Sequence, residues 1–228
     1  MKIAVLGTGM VGRAIAAKLV ALGHDVVVGT RDVDATLART EPDAMGNPPY
    51  AEWQKDNAQA PLVPLADAGA HGELIVNATS GQGSQAALEG AGAPNLAGKV
   101  ILDIANPLDY SQGMPPTLSV SNTDSLAEQL QAAFPDARIV KALNTMNAYV
   151  MVDPARLTGN HNVFVAGDDA AAKETVKDLL RTFGWTDEAI VDLGGIRAAR
   201  GMEMFLPLWL SLFGTLGTGD FNIGIVRA

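Results

Sequence analysis

The chain has 228 residues, 48% of them hydrophobic and 18% charged, with a formal net charge of −9. That length buries a substantial core, enough for one large domain or one domain with a smaller appendage, while the negative balance argues against nucleic acid or an anionic membrane as partner. No cysteine is present, which excludes disulfides, thiol nucleophiles and cysteine-ligated metals, and no other metal site is expected.

Lys2 to Leu6 reads as a short apolar strand running into Gly7-x-Gly9-x-x-Gly12 and then an alanine-rich helix through Ile15, Leu19 and Val20. A GxGxxG pattern carries weight only in this strand-to-helix setting, where a dinucleotide pyrophosphate rests on the helix N-terminus. Gly7 permits the turn, Gly9 lets backbone approach the phosphates, and Gly12 lets the helix pack close to the strand. The expected phosphate-binding run is Gly7, Thr8, Gly9, Met10, Val11 and Gly12. A start inside a core strand leaves no apolar leader in view, so the cytoplasm is the expected compartment.

The second strand, residues 25 to 29, decides which dinucleotide is read. An NAD site places Asp or Glu at its end to accept from the ribose 2′-hydroxyl. Here that end reads Gly29-Thr30-Arg31. Arg31 is expected to clamp a 2′-phosphate with the Thr30 hydroxyl as a second donor, which selects NADP over NAD. The competing reading of Arg31 is a solvated surface arginine. Asp32 stands about 20 residues past the fingerprint, but by register it lies beyond the strand end and reads as the N-cap of a helix starting near Val33.

Further along, a proline-marked segment holds a helix, a loop and a short helix from Tyr50 to Asn57, followed by a weak third strand at Leu62 to Leu65. Glu73 to Ala78 is a fourth strand, ending in Thr79-Ser80 before a helix from about Gln85. Lys99 to Ala105 is a fifth, followed by Asn106-Pro107. Ser125 to Phe134 reads as a capped helix, and Arg138 to Leu143 as a sixth strand ending in Asn144-Thr145-Met146. This β-α-β alternation predicts an α/β fold with a doubly wound, mostly parallel Rossmann sheet over residues 1–150.

Residues 151–228 are expected to form a small C-terminal α/β domain that closes the cleft. Val163 to Gly167 and Ala189 to Leu193 read as strands, Asp169 to Thr182 as an amphipathic helix, and Asp220 to Arg227 as a terminal strand. Between them Met202 to Leu216 reads as a long apolar helix, too short at Met204 to Leu216 for the ~20 residues a bilayer requires and interrupted by Pro207. Phe205, Trp209 and Phe213 form a stripe along it, expected to be buried in the fold or in a homodimer interface.

Parallel sheets bind ligands beyond the carboxyl ends of their strands, so the strand-end tripeptides line one cleft. They are polar and amide-rich, with no titratable pair. Reducing a carbonyl calls for a proton shuttle, yet His24, His71 and His161 follow no strand end, and Lys141 is the one general acid held in reserve. No catalytic acid or base is assigned, which favours a flavin-like hydride acceptor.

The segments KIAVLGTGMVGRAIAAKLVALGHDVVVGTRD, DIANPLD, VKALNTMNA, VFVAGDD and FNIGIVR together resemble the NADPH-dependent reductases of the deazaflavin coenzyme F420. The related cytoplasmic reductase domains of membrane ferric reductases share much of the pattern. The resemblance implies hydride exchange between nicotinamide C4 of NADP(H) and C5 of F420. It also implies that Thr30 and Arg31 hold the 2′-phosphate and that Met146 and Ala148 lie against the deazaflavin. The family's further basic residue after the arginine is absent from Asp32-Val33-Asp34-Ala35-Thr36, which implies weaker selectivity for NADP. Two alternatives stand beside this reading: the same NADPH site serving FMN, FAD, a ferric chelate or an imine, and a non-catalytic NADP-binding sensor.

Overall fold

The structure, a computed structural model, describes residues 1–43 and 46–227. Strand β1 (Lys2–Leu6) leads into α1 (Met10–Ala21), and β2 (Asp25–Thr30) into the short α2 (Val33–Leu37). Next come α3 (Tyr50–Asp56), β3 (Leu62–Pro64), α4 (Leu65–His71), β4 (Leu74–Asn77), α5 (Gly81–Ala91), α6 (Ala93–Leu96) and β5 (Val100–Asp103). A hairpin of β6 (Leu108–Asp109) and β7 (Thr117–Leu118) precedes α7 (Leu126–Ala133), β8 (Arg138–Ala142) and α8 (Ala148–Val152). The remaining elements are β9 (Val163–Ala166), α9 (Ala170–Phe183), β10 (Ile190–Asp192), α10 (Ala199–Met204) and α11 (Leu206–Leu216).

Eight strands form one sheet in the order β10-β9-β8-β5-β4-β1-β2-β3. The strands from β3 to β8 in that order are mutually parallel, β9 pairs antiparallel with β8, and β10 runs parallel to β9. Parallel neighbours need crossover helices on both faces, so successive strand residues are buried to opposite sides. Ile3 and Val5 join Ile15 and Leu19 of α1 and Val176 and Leu180 of α9 in one core. Ala4 and Leu6 join Ala68 of α4, Leu88 of α5 and Leu130 of α7 in the other. Local chemistry sets the helix ends: Ser125 Oγ accepts from the Glu128 amide at 3.2 Å, Asp169 Oδ1 accepts from Ala172 at 2.8 Å, and α9 stops at Gly184 with φ 109°.

The parallel Rossmann sheet agrees with the sequence reading, and three details differ. The segment after Val150 adds β9 and β10 to the same sheet, because β9 pairs edge to edge with β8 through Lys141–Ala166 and Ala142–Val165. No long apolar helix forms. The run breaks at Phe205 into α10 and α11, with Pro207 in the first turn of α11, where its missing N–H costs nothing. Nor is Asp220 to Arg227 a strand: residues 217–227 run without regular structure. The loop expected before Tyr50 includes Ala44 and Met45, which lie outside the described residues. Among the described residues no helix is long and apolar enough to cross a membrane.

Candidate active site

A cavity of about 690 Å³ opens beyond the carboxyl ends of β1, β2 and β4. Gly7, Thr8, Gly9, Thr30, Arg31, Thr79 and Ser80 all line it. Gly7 sits at φ 119°, a region open to glycine, and an added Cβ would strike the Ala78 carbonyl oxygen at 2.5 Å. A Cβ on Gly12 would overlap the Gly7 carbonyl, whereas above Gly9 nothing lies within 4 Å, so backbone is bare where a phosphate approaches. Met10, Val11 and Gly12 form the first turn of α1, which has no side-chain cap and no acidic residue. Across the cavity α5 likewise starts without a side-chain cap at Ser80. Two uncapped helix N-termini therefore face one space, each with free amides and a positive dipole end.

At the end of β2, Asp32 lines the cavity and uses one carboxylate oxygen as a helix cap. Asp32 Oδ1 accepts from the Ala35 amide at 2.8 Å and caps α2, as its register predicts. Thr36 donates its hydroxyl to the Asp32 carbonyl at 2.7 Å, so in the 2.9 Å contact between Thr30 and Thr36 the donor is Thr30. The Thr30 proton is thus directed at Thr36. Arg31 and Arg39, both exposed, line the cavity together. Arg39, which the sequence reading passed over, lies just past the end of α2 (Val33–Leu37) and borders the cavity with Arg31. The one signal for it was an arginine after a short predicted helix.

Toward β5 and β8 the wall is built of amides. An added Cβ on Gly81, at the start of α5, would strike the Asn106 carbonyl, so Asn106-Pro107 abuts the rim of the cavity. Asn106 Nδ2 donates to the Asn144 carbonyl at 2.9 Å, and Asn144 Nδ2 donates to Asn106 Oδ1 at 2.9 Å and to the Met202 carbonyl at 3.1 Å. This ring joins the ends of β5 and β8 to α10. Leu143 precedes it with φ 64°, a strained conformation of order 1 kcal/mol or more that turns the chain sharply off the strand. Met146 and Ala148 are buried, the latter opening α8.

Beneath the wall Lys141 is fully buried. Its Nζ lies 2.9 Å from Asp103 Oδ2, 2.8 Å from Glu203 Oε1 and against the Ala105 carbonyl. Asn77 donates to Asp103 at 2.8 Å, and Thr79 donates to Asn77 at 2.7 Å. Glu203 accepts from the Leu126 and Ala127 amides at 2.8 and 3.1 Å, capping α7 from another element. Burial alone would lower the Lys141 pKa, but Asp103 and Glu203 together raise it above the ordinary lysine value. Lys141 is therefore a structural cation, and its reserve role as a general acid is withdrawn.

His161 lies nearer the cleft edge than the sequence suggested, because antiparallel β9 begins where β8 ends. Its Nε2 contacts the Pro154 carbonyl at 3.1 Å and its Nδ1 the Asn222 amide at 2.9 Å, a pairing that fits the neutral ring with the proton on Nε2. Four buried polar atoms among the described residues lack a partner, and three of them, Asn144 Oδ1, Trp209 Nε1 and Asn222 Oδ1, belong to the β8 end and the C-terminal segment. Asn222 also approaches Met146 Sδ at 4.0 Å.

Comparison with known proteins agrees with this geometry. Residues 2–107 match the family described as NADP oxidoreductase, coenzyme F420-dependent. The F420-dependent NADP reductase of Methanothermobacter marburgensis is 27% identical over 218 residues, 93% of this chain and 92% of that protein. Metalloreductase STEAP3 of Rattus norvegicus is 29% identical over 214 residues, 91% of this chain, which spans only 38% of that protein's length. A crystal structure from Arthrobacter sp. FB24, provisionally assigned as an F420-dependent NADP reductase, superposes with TM-score 0.94 and 56% identity over 100% of both chains.

Proposed function

The chain belongs to the coenzyme F420-dependent NADP oxidoreductase family, and we propose that it transfers hydride between nicotinamide C4 of NADP(H) and C5 of coenzyme F420. The observation that carries the NADP half is the cavity that pairs two uncapped helix N-termini with Arg31 and Arg39, beside Asp32 with its Oδ1 engaged as the α2 cap. Gly7 to Gly12 would hold the pyrophosphate, and Arg31 with Arg39 the 2′-phosphate. Thr79, Ser80, Asn106 and Pro107 would flank the nicotinamide. Asn144, Met146 and Ala148 would form the acceptor side, where the unpaired Asn144 and Asn222 oxygens offer acceptors to a ligand N–H. Bound nicotinamide and deazaflavin supply the redox chemistry; the protein's part is to bring C4 and C5 to about 3–3.5 Å and exclude water.

Residues 151–228 close the acceptor side in this reading, and the protein works in the cytoplasm as a homodimer. Leu208, Phe213 and Leu216 of α11 are 55%, 41% and 54% exposed, so the apolar face left open by one chain is assigned to a second copy. The match to a metalloreductase favours one alternative, passage of hydride from the same NADPH site to a flavin, whose two electrons then leave singly to reduce two ferric chelates with release of its protons. Mixing the purified protein and NADPH with F420, FMN, FAD and ferric chelates in parallel separates the readings. The proposal expects F420 to be reduced fastest; turnover confined to another acceptor, or none with any of them, would refute it.

A further inference from the structure

Residues 217–227 form a strap that leaves α11 at Gly217 and runs back over the β8–β9 end of the sheet. Asparagine side chains, a backbone bond, an ion pair and an aromatic stack hold it. Asn162 Oδ1 accepts from the Ile225 amide at 2.7 Å, and the Asn162 amide donates to the Ile223 carbonyl at 2.9 Å. Asn222 donates to the Asn162 carbonyl at 2.9 Å and faces Met146 Sδ. Phe221 stacks on Trp209 at 5.4 Å, which stacks in turn on Phe213 at 5.5 Å.

One residue joins this strap to the acceptor wall. Asn147 lies between Met146 and Ala148, and both ends of its amide are engaged. Oδ1 accepts from the Tyr149 and Val150 amides at 2.9 and 3.0 Å, capping α8, while Nδ2 donates to the Gly219 carbonyl and to Asp220 Oδ1 at 3.2 Å. Asp220 Oδ2 is held by Arg156 at 3.2 Å. Gly219 packs so close that an added Cβ would lie 3.2 Å from Asn147 Nδ2. The carbonyl end of one side chain thus fixes the segment carrying Met146, and the amide end fixes the strap that covers it.

We propose that Asn147 is a positioning residue that clamps the C-terminal strap onto the acceptor wall and thereby sets affinity for the hydride acceptor without affecting the dinucleotide. This rests on the acceptor lying beside Met146, as proposed above. A helix cap alone needs only an acceptor oxygen, which Ser and Asp also supply, whereas the clamp needs the amide donors. Asn147→Ser keeps the cap and loses the strap bonds. Asn147→Asp keeps the cap and sets a carboxylate against Asp220.

The test measures the equilibrium Kd of F420 by its fluorescence, the Kd of NADPH, and amide hydrogen exchange over residues 218–226, in the intact protein. Loss of one hydrogen bond to a carbonyl and one to the exposed Asp220 carboxylate predicts a rise of roughly three- to tenfold in the F420 Kd of Asn147→Ser, with faster strap exchange and NADPH affinity within about twofold. Asn147→Asp should be worse, and adding Asp220→Asn should return it to the Asn147→Ser value by removing the repulsion. Variants that bind F420 like the wild type, or that lose NADPH and F420 equally, would overturn the proposal. A wild type that fails to bind F420 instead overturns the function on which it rests.

Discussion

Asp32 takes the helix-capping role that its register assigns it, and Arg39, which the sequence reading passed over, lines the cavity. Asp32 borders the same cavity with Oδ1 bonded to the Ala35 amide, and Arg39, seven positions on, lies beside Arg31 in its lining. The cap was legible because a short polar residue just past a strand end, before a helix, has one common use. Arg39 was not, because its position depends on how tightly α2 turns, and a single helical turn leaves no periodicity to read. On the proposed placement Arg31 and Arg39 would share the 2′-phosphate and offset the weaker NADP selectivity that a missing second cation implied. Replacing Arg31 by Ala should weaken NADPH roughly ten- to a hundredfold and NADH little, since hydrogen bonds to charged groups contribute about 1.5–3 kcal/mol. Arg39→Ala should act in the same direction, and isothermal titration with both dinucleotides checks each. Equal losses for NADPH and NADH would remove both residues from the 2′-phosphate site.

Between elements, the Lys141 cluster ties β5, β8, α7 and α10 together at one buried point. A lysine inside an apolar strand can be read from sequence as a puzzle but not solved, because Asp103 and Glu203 come from distant segments. The α10–α11 break was half legible: Pro207 was visible, but its tolerance in a first helical turn depends on where the preceding helix stops. Lys141→Met would leave two buried carboxylates without a counter-ion and should cost about 3–5 kcal/mol, read as a fall of roughly 6–20 °C in Tm. An unchanged Tm would mean the cluster is not a tie. The sign of its pH dependence follows from a folded pKa above the unfolded one. The Lys141 contribution is complete below about pH 10.4 and is lost as pH rises through the folded value. Denaturant titrations from about pH 9 to about pH 11.5 should therefore show the wild type losing stability more steeply than Lys141→Met.

For the whole molecule, a mostly parallel, doubly wound sheet was inferable from βαβ alternation, but its strand order and the antiparallel addition of β9 and β10 were not. Edge pairing leaves no mark in the sequence of either strand. The same limit applies to α11: its apolar stripe was plain, and only the fold shows that Phe205 and Trp209 are half-buried while Phe213, with Leu208 and Leu216, is left exposed. Light scattering should give twice the 23.7 kDa chain mass, and Leu208→Glu with Phe213→Glu should halve it. A monomeric wild type would contradict the assigned dimer. The central claim is direct hydride passage across one cleft, and NADPH deuterated at C4 tests it most directly. Incubated with the protein and F420, one C4 diastereomer should deliver its deuterium to C5 of the reduced deazaflavin, as read by mass spectrometry. Label lost to solvent, or NADPH oxidised with F420 left unreduced, would contradict the account.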